Sequence, residues 1–148
     1  MDLDKLVVRK MTEEDASGVA AVEAKCFSTP WPEVEFFKAA SDKNYTFLVA
    51  DIDGNIIGMA GLIKSIPEAT VTNVAVLPEY RKCGIARNVV SKLLDIGGEE
   101  GVTEFTLEVR ESNAGAIRLY ESLGFSFEGK RPRFYENPVE GALIYWKR

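Results

Sequence analysis

Histidine is absent from the 148-residue sequence. It is the side chain whose ordinary pKa lies closest to neutrality and the most frequent general base in enzymes. If this protein transfers protons, its base must be a carboxylate, a tyrosine, a cysteine, a lysine, a chain terminus or bound water. The only two cysteines, Cys26 and Cys83, argue against a structural zinc site and form no disulfide framework. We therefore expect no metal site.

Long apolar runs and an excess of basic residues are also missing. No stretch is long enough to span a bilayer, and residues 1–5 show no signal-peptide pattern, so we expect a cytoplasmic protein that does not bind membranes. The net charge of -5 argues against general nucleic-acid binding and is compatible with a basic peptide or amine substrate. The length fits one domain, residues 1–148, with a sizeable core.

The order of strand and helix patterns predicts an α/β domain. Thr12 and Asp15 form a capping pattern for the first helix, and Asp53-Gly54 between two apolar segments is a strong hairpin signal. Predicted strands cover residues 5–9, 45–50, 55–62, 68–77, 104–109, 125–129 and 142–146. Predicted helices end near residues 27, 40, 97–101 and 124, and residues 132–141 are predicted to form a loop.

A basic turn at residues 81–86 follows an apolar strand pattern and precedes a helical pattern that begins at Ile85. Unpaired amides and the positive end of the helix dipole favour phosphate at such a position, and Arg81, Lys82 and Arg87 add positive charge. The turn has neither the P-loop pattern nor the spacing of a dinucleotide fingerprint. From these residues alone, an exposed loop with ordinary surface basic residues stays an alternative.

The pattern Arg81-x-x-Gly84-x-Ala86 after a strand resembles the coenzyme A pyrophosphate motif of the GNAT acetyltransferases, Gln/Arg-x-x-Gly-x-Gly/Ala. Residues 26–31, 73–76, 107–113 and 119–125 resemble one subfamily, whose members acetylate the N-terminal alanine of a small-subunit ribosomal protein. The resemblance implies a GNAT fold of the α/β (α+β) class, a mixed sheet of about seven strands flanked by about four helices and splayed at the coenzyme A site. It also implies acetyl-CoA as co-substrate, a protein N-terminus as acceptor, and a monomer or weak dimer.

The same resemblance implies where the coenzyme binds. Backbone groups of Val74, Ala75 and Val76 would pair with the pantetheine arm as an added strand would, and an N–H near Val76 would be the oxyanion donor. Asn113 would contact the coenzyme from the next helix, and we expect the Cys83 thiol to be a bystander. The pyrophosphate would lie against Arg81 and the turn amides of Lys82, Cys83, Gly84, Ile85, Ala86 and Arg87.

Acetyl transfer to an amine requires a neutral nucleophile and a proton for the departing thiolate. An α-amino group has an ordinary pKa of about 8, so a modest base suffices near neutral pH. By resemblance, Glu108 is the candidate base, directly or through one water, and Tyr120 is the candidate acid. The residues alone leave alternatives: Glu108 as an outward-facing strand carboxylate, and Tyr120 as a core aromatic. Tyr120 could fill both roles, since a buried tyrosine can still present its hydroxyl.

The acceptor is predicted to lie between two loops that contain Phe27, Trp31, Tyr135 and Glu136, with simple loop packing as the alternative. Glu136 and the overall acidity suit an acceptor with basic residues after its first position. Three other functions stay open. They are a GNAT enzyme for a lysine or small-molecule amine, a module that binds acetyl-CoA without turnover, and a nucleotide-binding protein of another family. The missing P-loop lysine argues against the last.

Overall fold

The computed structural model describes residues 3–148, so residues 1 and 2, where a targeting sequence would begin, lie outside the described residues. It contains a seven-stranded sheet and four α-helices. The strands are β1 (Leu6–Lys10), β2 (Tyr45–Ile52), β3 (Asn55–Ser65), β4 (Glu68–Val76), β5 (Glu104–Arg110), β6 (Ser126–Tyr135) and β7 (Glu140–Lys147). The helices are α1 (Ala16–Cys26), α2 (Glu33–Ala40), α3 (Ile85–Glu99) and α4 (Ala114–Ser122).

The strands are arranged in the order β1-β2-β3-β4-β5-β7-β6. Neighbouring strands are antiparallel except β4 and β5, which are parallel, so the sheet is mixed. The predicted hairpin between β2 and β3 is confirmed. Its turn residues Asp53 and Gly54 have φ angles of 52° and 85°, and a two-residue hairpin turn of this type requires positive φ at both positions.

The predicted cap before the first helix is also confirmed. The Asp15 carboxylate accepts a hydrogen bond from the Thr12 amide at 2.8 Å, and a short 3₁₀ turn, Glu13–Asp15, leads into α1. Arg9 of β1 donates to the same carboxylate at 2.7 and 2.9 Å. This charged contact lowers the pKa of Asp15 to about 2 and anchors the start of α1 to the edge of the sheet.

The two sides of the sheet diverge between β4 and β5. Only three residue pairs join these strands, Glu68 to Thr70 on β4 with Glu104 to Thr106 on β5. Beyond them, β4 remains paired with β3 and β5 with β7, and an open cleft lies between the two. The sheet is therefore mixed, flanked by helices and splayed, which confirms the fold expected from the resemblance.

Apolar residues fill both faces of the sheet. On one face, α1 and α2 pack through Val19, Val22 and Phe36 against Phe47 and Val49 of β2. On the other face, α3 packs against the alternate positions of β2 and β3, and α4 adds Tyr120 to the same cluster. Because successive strand residues point to opposite faces, β2 contributes to both clusters. The splayed strands are thus held from both sides.

The predicted loop at residues 132–141 is wrong. β6 continues to Tyr135 and β7 begins at Glu140, so only the turn between them is irregular. Pro132 lies where the register of β6 against β7 shifts, between Arg131 and Tyr135. Within the sheet of the described residues, β6 is an edge strand, and a proline costs no ladder hydrogen bond on a free edge. Among residues 3–148, no helix is long and apolar enough to cross a membrane.

Candidate active site

The open space between β4 and β5 is a cleft of about 1190 Å³. Pockets for small ligands usually measure about 300–1,000 Å³, so this cleft has room for a large coenzyme and the end of a second substrate. Its walls come from β4, the turn at residues 81–87, the end of β5, α4, and the turn between β6 and β7. The sheet's divergence therefore creates the site.

β4 forms one wall and carries a β-bulge. Its register against β3 shifts between Met59 and Gly61, and Asn73 at the bulge has a φ of 53°. A bulge twists and re-aims the residues that follow it. The cleft-lining residues that follow are Val74, Ala75 and Val76, the predicted pantetheine residues.

The carbonyl of Val76 is engaged within the protein. It accepts a hydrogen bond from Arg81 Nε at 3.0 Å and one from the Cys26 thiol at 3.5 Å. The Arg81 Nη2 group also lies 3.6 Å from the Cys26 sulfur. The guanidinium of Arg81 thus fixes the end of β4 to the basic turn, and its charge lines the cleft.

The basic turn opens α3 with strained, glycine-dependent geometry. Lys82 and Gly84 have φ angles of 62° and 79°, and Gly84 is the residue that precedes the first helical turn. A Cβ on Gly84 would meet no atom within 4 Å, so the space beside the turn is open. Asn88 N donates to Gly84 O at 3.1 Å, which leaves the amides of residues 85–87 outside the regular helical bonding.

Most of the predicted pyrophosphate residues line the cleft: Arg81, Lys82, Gly84, Ile85, Ala86 and Arg87. Cys83 does not line it, and its thiol donates to the carbonyl of Arg81 at 3.4 Å. Arg118 on α4, which the sequence did not single out, adds another positive charge to the lining. The cleft therefore has several cations although the chain is acidic overall, which suits a phosphate-bearing ligand.

Asn113 begins α4 and lines the cleft. Its side-chain oxygen accepts a hydrogen bond from Ala116 N at 3.1 Å, as a helix N-cap does. The side-chain oxygen of Asn113 is thus engaged in capping α4.

Glu108 lies near the end of β5 and faces the cleft, not the outer solvent. Its Oε2 atom is buried and has no hydrogen-bond partner within residues 3–148. Arg131 Nε of β6 lies 3.5 Å from that oxygen, close enough for an ion pair without the alignment of a hydrogen bond. A carboxylate that lines an open cleft is suited to accept a proton.

Tyr120 projects from α4 into the other side of the cleft. Its ring is packed edge-on against Phe125, with centroids 5.9 Å apart, and only 6% of the residue is exposed. Burial, and secondarily the nearby Tyr135, raises the pKa of the Tyr120 hydroxyl well above its usual range. The hydroxyl carries a proton at neutral pH, as an ordinary tyrosine also does.

The predicted acceptor residues divide into two groups. Phe27, Trp31 and Tyr135 all line the cleft, so the two distant segments do meet there. Trp31 is also a packing residue, since its ring centroid lies 5.3 Å from that of Phe36 and 5.8 Å from that of Phe47. Glu136 does not line the cleft.

Tyr135 connects the two candidate catalytic groups electrostatically. Burial raises the pKa of its hydroxyl, and the Glu108 carboxylate raises it further. Tyr135 in turn raises the pKa of Tyr120. Since such effects act over short distances, the three side chains share one region of the cleft.

Glu23 is a site residue that sequence reasoning missed. It lies in the last turn of α1 and is only 2% exposed, yet it lines the cleft. Its Oε1 atom accepts hydrogen bonds from the Trp31 amide at 3.0 Å and from Asn73 Nδ2 at 2.9 Å. Burial raises the pKa of this carboxyl, and the two hydrogen bonds oppose that shift. A glutamate among the apolar positions of a helix, one residue after Val22, was the available signal.

Comparison with known proteins identifies the family to which the protein belongs. Residues 16–125 match the family described as "Acetyltransferase (GNAT) family", so this chain belongs to that acetyltransferase family and is an acyltransferase.

Within that family, the chain is similar to proteins named as alanine N-acetyltransferases. The chain is 33% identical over 143 residues to the putative [ribosomal protein bS18]-alanine N-acetyltransferase of Bacillus subtilis, covering 96% of this chain and 95% of the relative. The crystal structure of the ribosomal-protein-S18-alanine N-acetyltransferase from Escherichia coli superposes with a TM-score of 0.87 and 30% identity, covering 96% and 92% of the two chains. The PaiA N-acetyltransferase of Thermoplasma acidophilum, solved in complex with coenzyme A, shares the fold with a TM-score of 0.82 and 19% identity, covering 97% and 98% of the chains.

Proposed function

We propose that this protein transfers the acetyl group of acetyl-CoA to the N-terminal α-amine of a protein, with the N-terminal alanine of a small-subunit ribosomal protein as acceptor. The observation that carries the proposal is the splayed cleft, in which a cationic turn and two candidate proton-transfer groups line one continuous space. Relatives named for alanine N-acetylation support the choice of acceptor. A ribosomal acceptor would place the reaction in the cytoplasm.

The residues of the cleft fit coenzyme A. The pyrophosphate would lie at the start of α3, where the free amides of residues 85–87 and the charges of Arg81 and Lys82 favour an anion. The acyl arm would follow the bulged end of β4 from Val74 to Val76, with an N–H near Val76 beside the thioester oxygen. Asn113 would complete the coenzyme side from α4.

The chemistry falls to the two groups that line the cleft beyond the turn. The amine nitrogen forms a bond to the thioester carbon, and the carbon–sulfur bond breaks. Glu108 takes the proton that the nitrogen loses, and Tyr120 gives a proton to the departing sulfur. Glu108 is a carboxylate that lines the cleft, and the Tyr120 hydroxyl carries a proton at neutral pH, which suits these opposite roles.

Acetylation of matched peptides tests the acceptor. An alanine-initiated peptide that contains a lysine should gain one acetyl group at its α-amine, located by fragment mass analysis. The same peptide with a blocked N-terminus should stay unmodified. Modification of the blocked peptide would replace the proposal with a lysine acetyltransferase, and absence of thiol release with every amine tested would indicate a binding module without turnover.

A further inference from the structure

Arg110 is the last residue of β5 and lies two positions after Glu108, on the same face of the strand. Its guanidinium is bound to the turn between β6 and β7. One nitrogen, Nη1, donates to the Pro138 carbonyl at 2.9 Å, and the other, Nη2, donates to the Glu136 carbonyl at 2.8 Å. A single side chain therefore ties the turn to the strand that carries the candidate base.

The same guanidinium lies over the ring of Tyr135. The distance from its central carbon to the ring centroid is 4.5 Å, within the range of a cation–π contact. Both residues line the cleft, together with Pro138. Arg110 thus fixes the backbone of the turn and also the face of the aromatic ring that precedes it.

Glu140 extends this network to the start of α4. It accepts from Arg110 Nη1 at 3.0 Å, from the Ser112 hydroxyl at 3.0 Å and from the Ser112 amide at 3.2 Å. Ser112 precedes the N-cap of α4. The side chains of Arg110 and Glu140 are mostly buried, 27% and 15% exposed, so solvent screens their ion pair less than a surface pair.

We propose that Arg110 is a positioning residue for the acceptor, which holds Tyr135 and the β6–β7 turn at the cleft wall so that the incoming amine reaches Glu108. The inference rests on the proposed function, since it assigns the β6–β7 side of the cleft to the acceptor. Lysine cannot replace this arginine. The lysine ammonium is a single point charge without the planar, five-donor geometry of a guanidinium. It therefore cannot bind the two turn carbonyls and the Glu140 carboxylate and also stack on the Tyr135 ring.

Steady-state kinetics of Arg110→Lys and Arg110→Met test the assignment, with an alanine-initiated peptide and acetyl-CoA varied separately. The KM for the peptide should rise at least about tenfold in both variants. The KM for acetyl-CoA and kcat at saturating peptide should stay within about twofold of wild type. A fall in kcat with an unchanged peptide KM, an equal rise in both KM values, or full rescue by lysine would overturn the assignment.

Arg148→Met is the matched control. Arg148 also lies over an aromatic ring, 4.4 Å from Trp146, and pairs with a carboxylate, that of Glu128, but it does not line the cleft. The KM of the Arg148→Met variant for the peptide should equal that of wild type. A rise as large as in the Arg110 variants would show a general loss of structure and refute a specific role.

Hydrogen exchange separates this inference from the proposed acceptor. In Arg110→Met the amides of residues 134–140 should exchange faster than in wild type, while those of α3 stay protected. If wild-type enzyme acetylates no peptide N-terminus, the proposed function fails. The exchange measurement would still decide whether Arg110 holds the turn, because unchanged exchange at residues 134–140 overturns that role.

Discussion

Glu108 and Tyr120 enter the cleft from different elements and meet different environments. A buried oxygen of Glu108 lies 3.5 Å from Arg131 and has no hydrogen-bond partner within residues 3–148, whereas Tyr120 is buried against Phe125. In the proposed mechanism the Glu108 carboxylate is the proton acceptor, and the Tyr120 hydroxyl, which is protonated at neutral pH, is the proton donor. The proposed division of roles needs no histidine, the side chain that this sequence lacks.

Glu108→Gln and Tyr120→Phe should each lower the rate of acetyl transfer at least about tenfold, equivalent to about 1.4 kcal/mol of barrier. Each substitution removes a proton-transfer group and leaves the basic turn intact, so affinity for acetyl-CoA measured by calorimetry should persist. Wild-type rates in both purified variants would contradict the catalytic roles proposed for Glu108 and Tyr120.

Two substitutions of the same kind serve as controls for that pair. Glu104→Gln changes another glutamate on the same face of β5, and Tyr145→Phe changes another buried tyrosine, whose hydroxyl donates to Glu121 at 3.0 Å. Neither residue lines the cleft. Both variants should transfer acetyl at rates within about twofold of wild type, since they alter no group near the reaction.

Single-residue roles were assigned from the sequence only where a motif matched, and they stay predictions. The basic turn, Glu108 and Tyr120 come from such matches, and all of them except Cys83 of the turn line one cleft. No single-residue role was predicted for Glu23 or for Arg110, although Arg110 lies in the matched segment 107–113. Their contacts join partners distant in sequence: Asn73 for Glu23, Glu136 and Pro138 for Arg110. Local pattern cannot reveal contacts of that range.

Among the secondary-structure elements, local rules predicted the hairpin and the first helix cap because their determinants lie within a few residues. The same rules misassigned the end of β6. Pro132 and nearby polar residues indicate a loop, but the strand lies at the sheet edge, where a missing N–H is harmless. Edge position depends on strand order. The splay of β4 from β5 likewise has no local signal and came only from the family resemblance.

Glu23 links three elements: α1, the segment before α2, and the bulge of β4. Burial raises the pKa of Glu23 above the ordinary value of 4.5. At pH values between the ordinary pKa and the folded-state pKa, the folded protein therefore holds a proton that the unfolded chain releases. The contribution of Glu23 to stability is therefore complete below the ordinary pKa and is lost as pH rises through the folded-state pKa. At neutral pH this carboxyl weakens the junction that it organises.

Glu23→Gln should reverse that weakening. The glutamine oxygen can accept the same two N–H groups and cannot ionise, so the variant should gain stability relative to wild type as pH rises from 4 toward 8. Urea unfolding at a series of pH values measures the difference in free energy, which isolates Glu23 from the other carboxyls common to both proteins. A difference that stays constant across this range would contradict the raised pKa.

At the scale of the whole molecule, the cleft divides the sheet. β1 to β4 with α1 and α2 form one side, and β5 to β7 form the other, with three residue pairs between β4 and β5. A ligand that contacts both walls adds bonds across the weakest part of the sheet. Its binding free energy then adds directly to the stability of the folded state.

Coenzyme A at a hundredfold excess over its Kd should therefore stabilise the protein by about 2.7 kcal/mol and raise Tm by roughly 5–10 °C in a thermal melt. Gly84→Trp should abolish this shift, because it places a bulky ring in the open space beside the turn. Gly54→Trp is the matched control: Gly54 has a similar φ of 85° and equally open space, but it lies in the β2–β3 hairpin, away from the cleft. That variant should melt earlier than wild type and keep the full shift. An equal shift in Gly84→Trp would show that coenzyme A binds elsewhere.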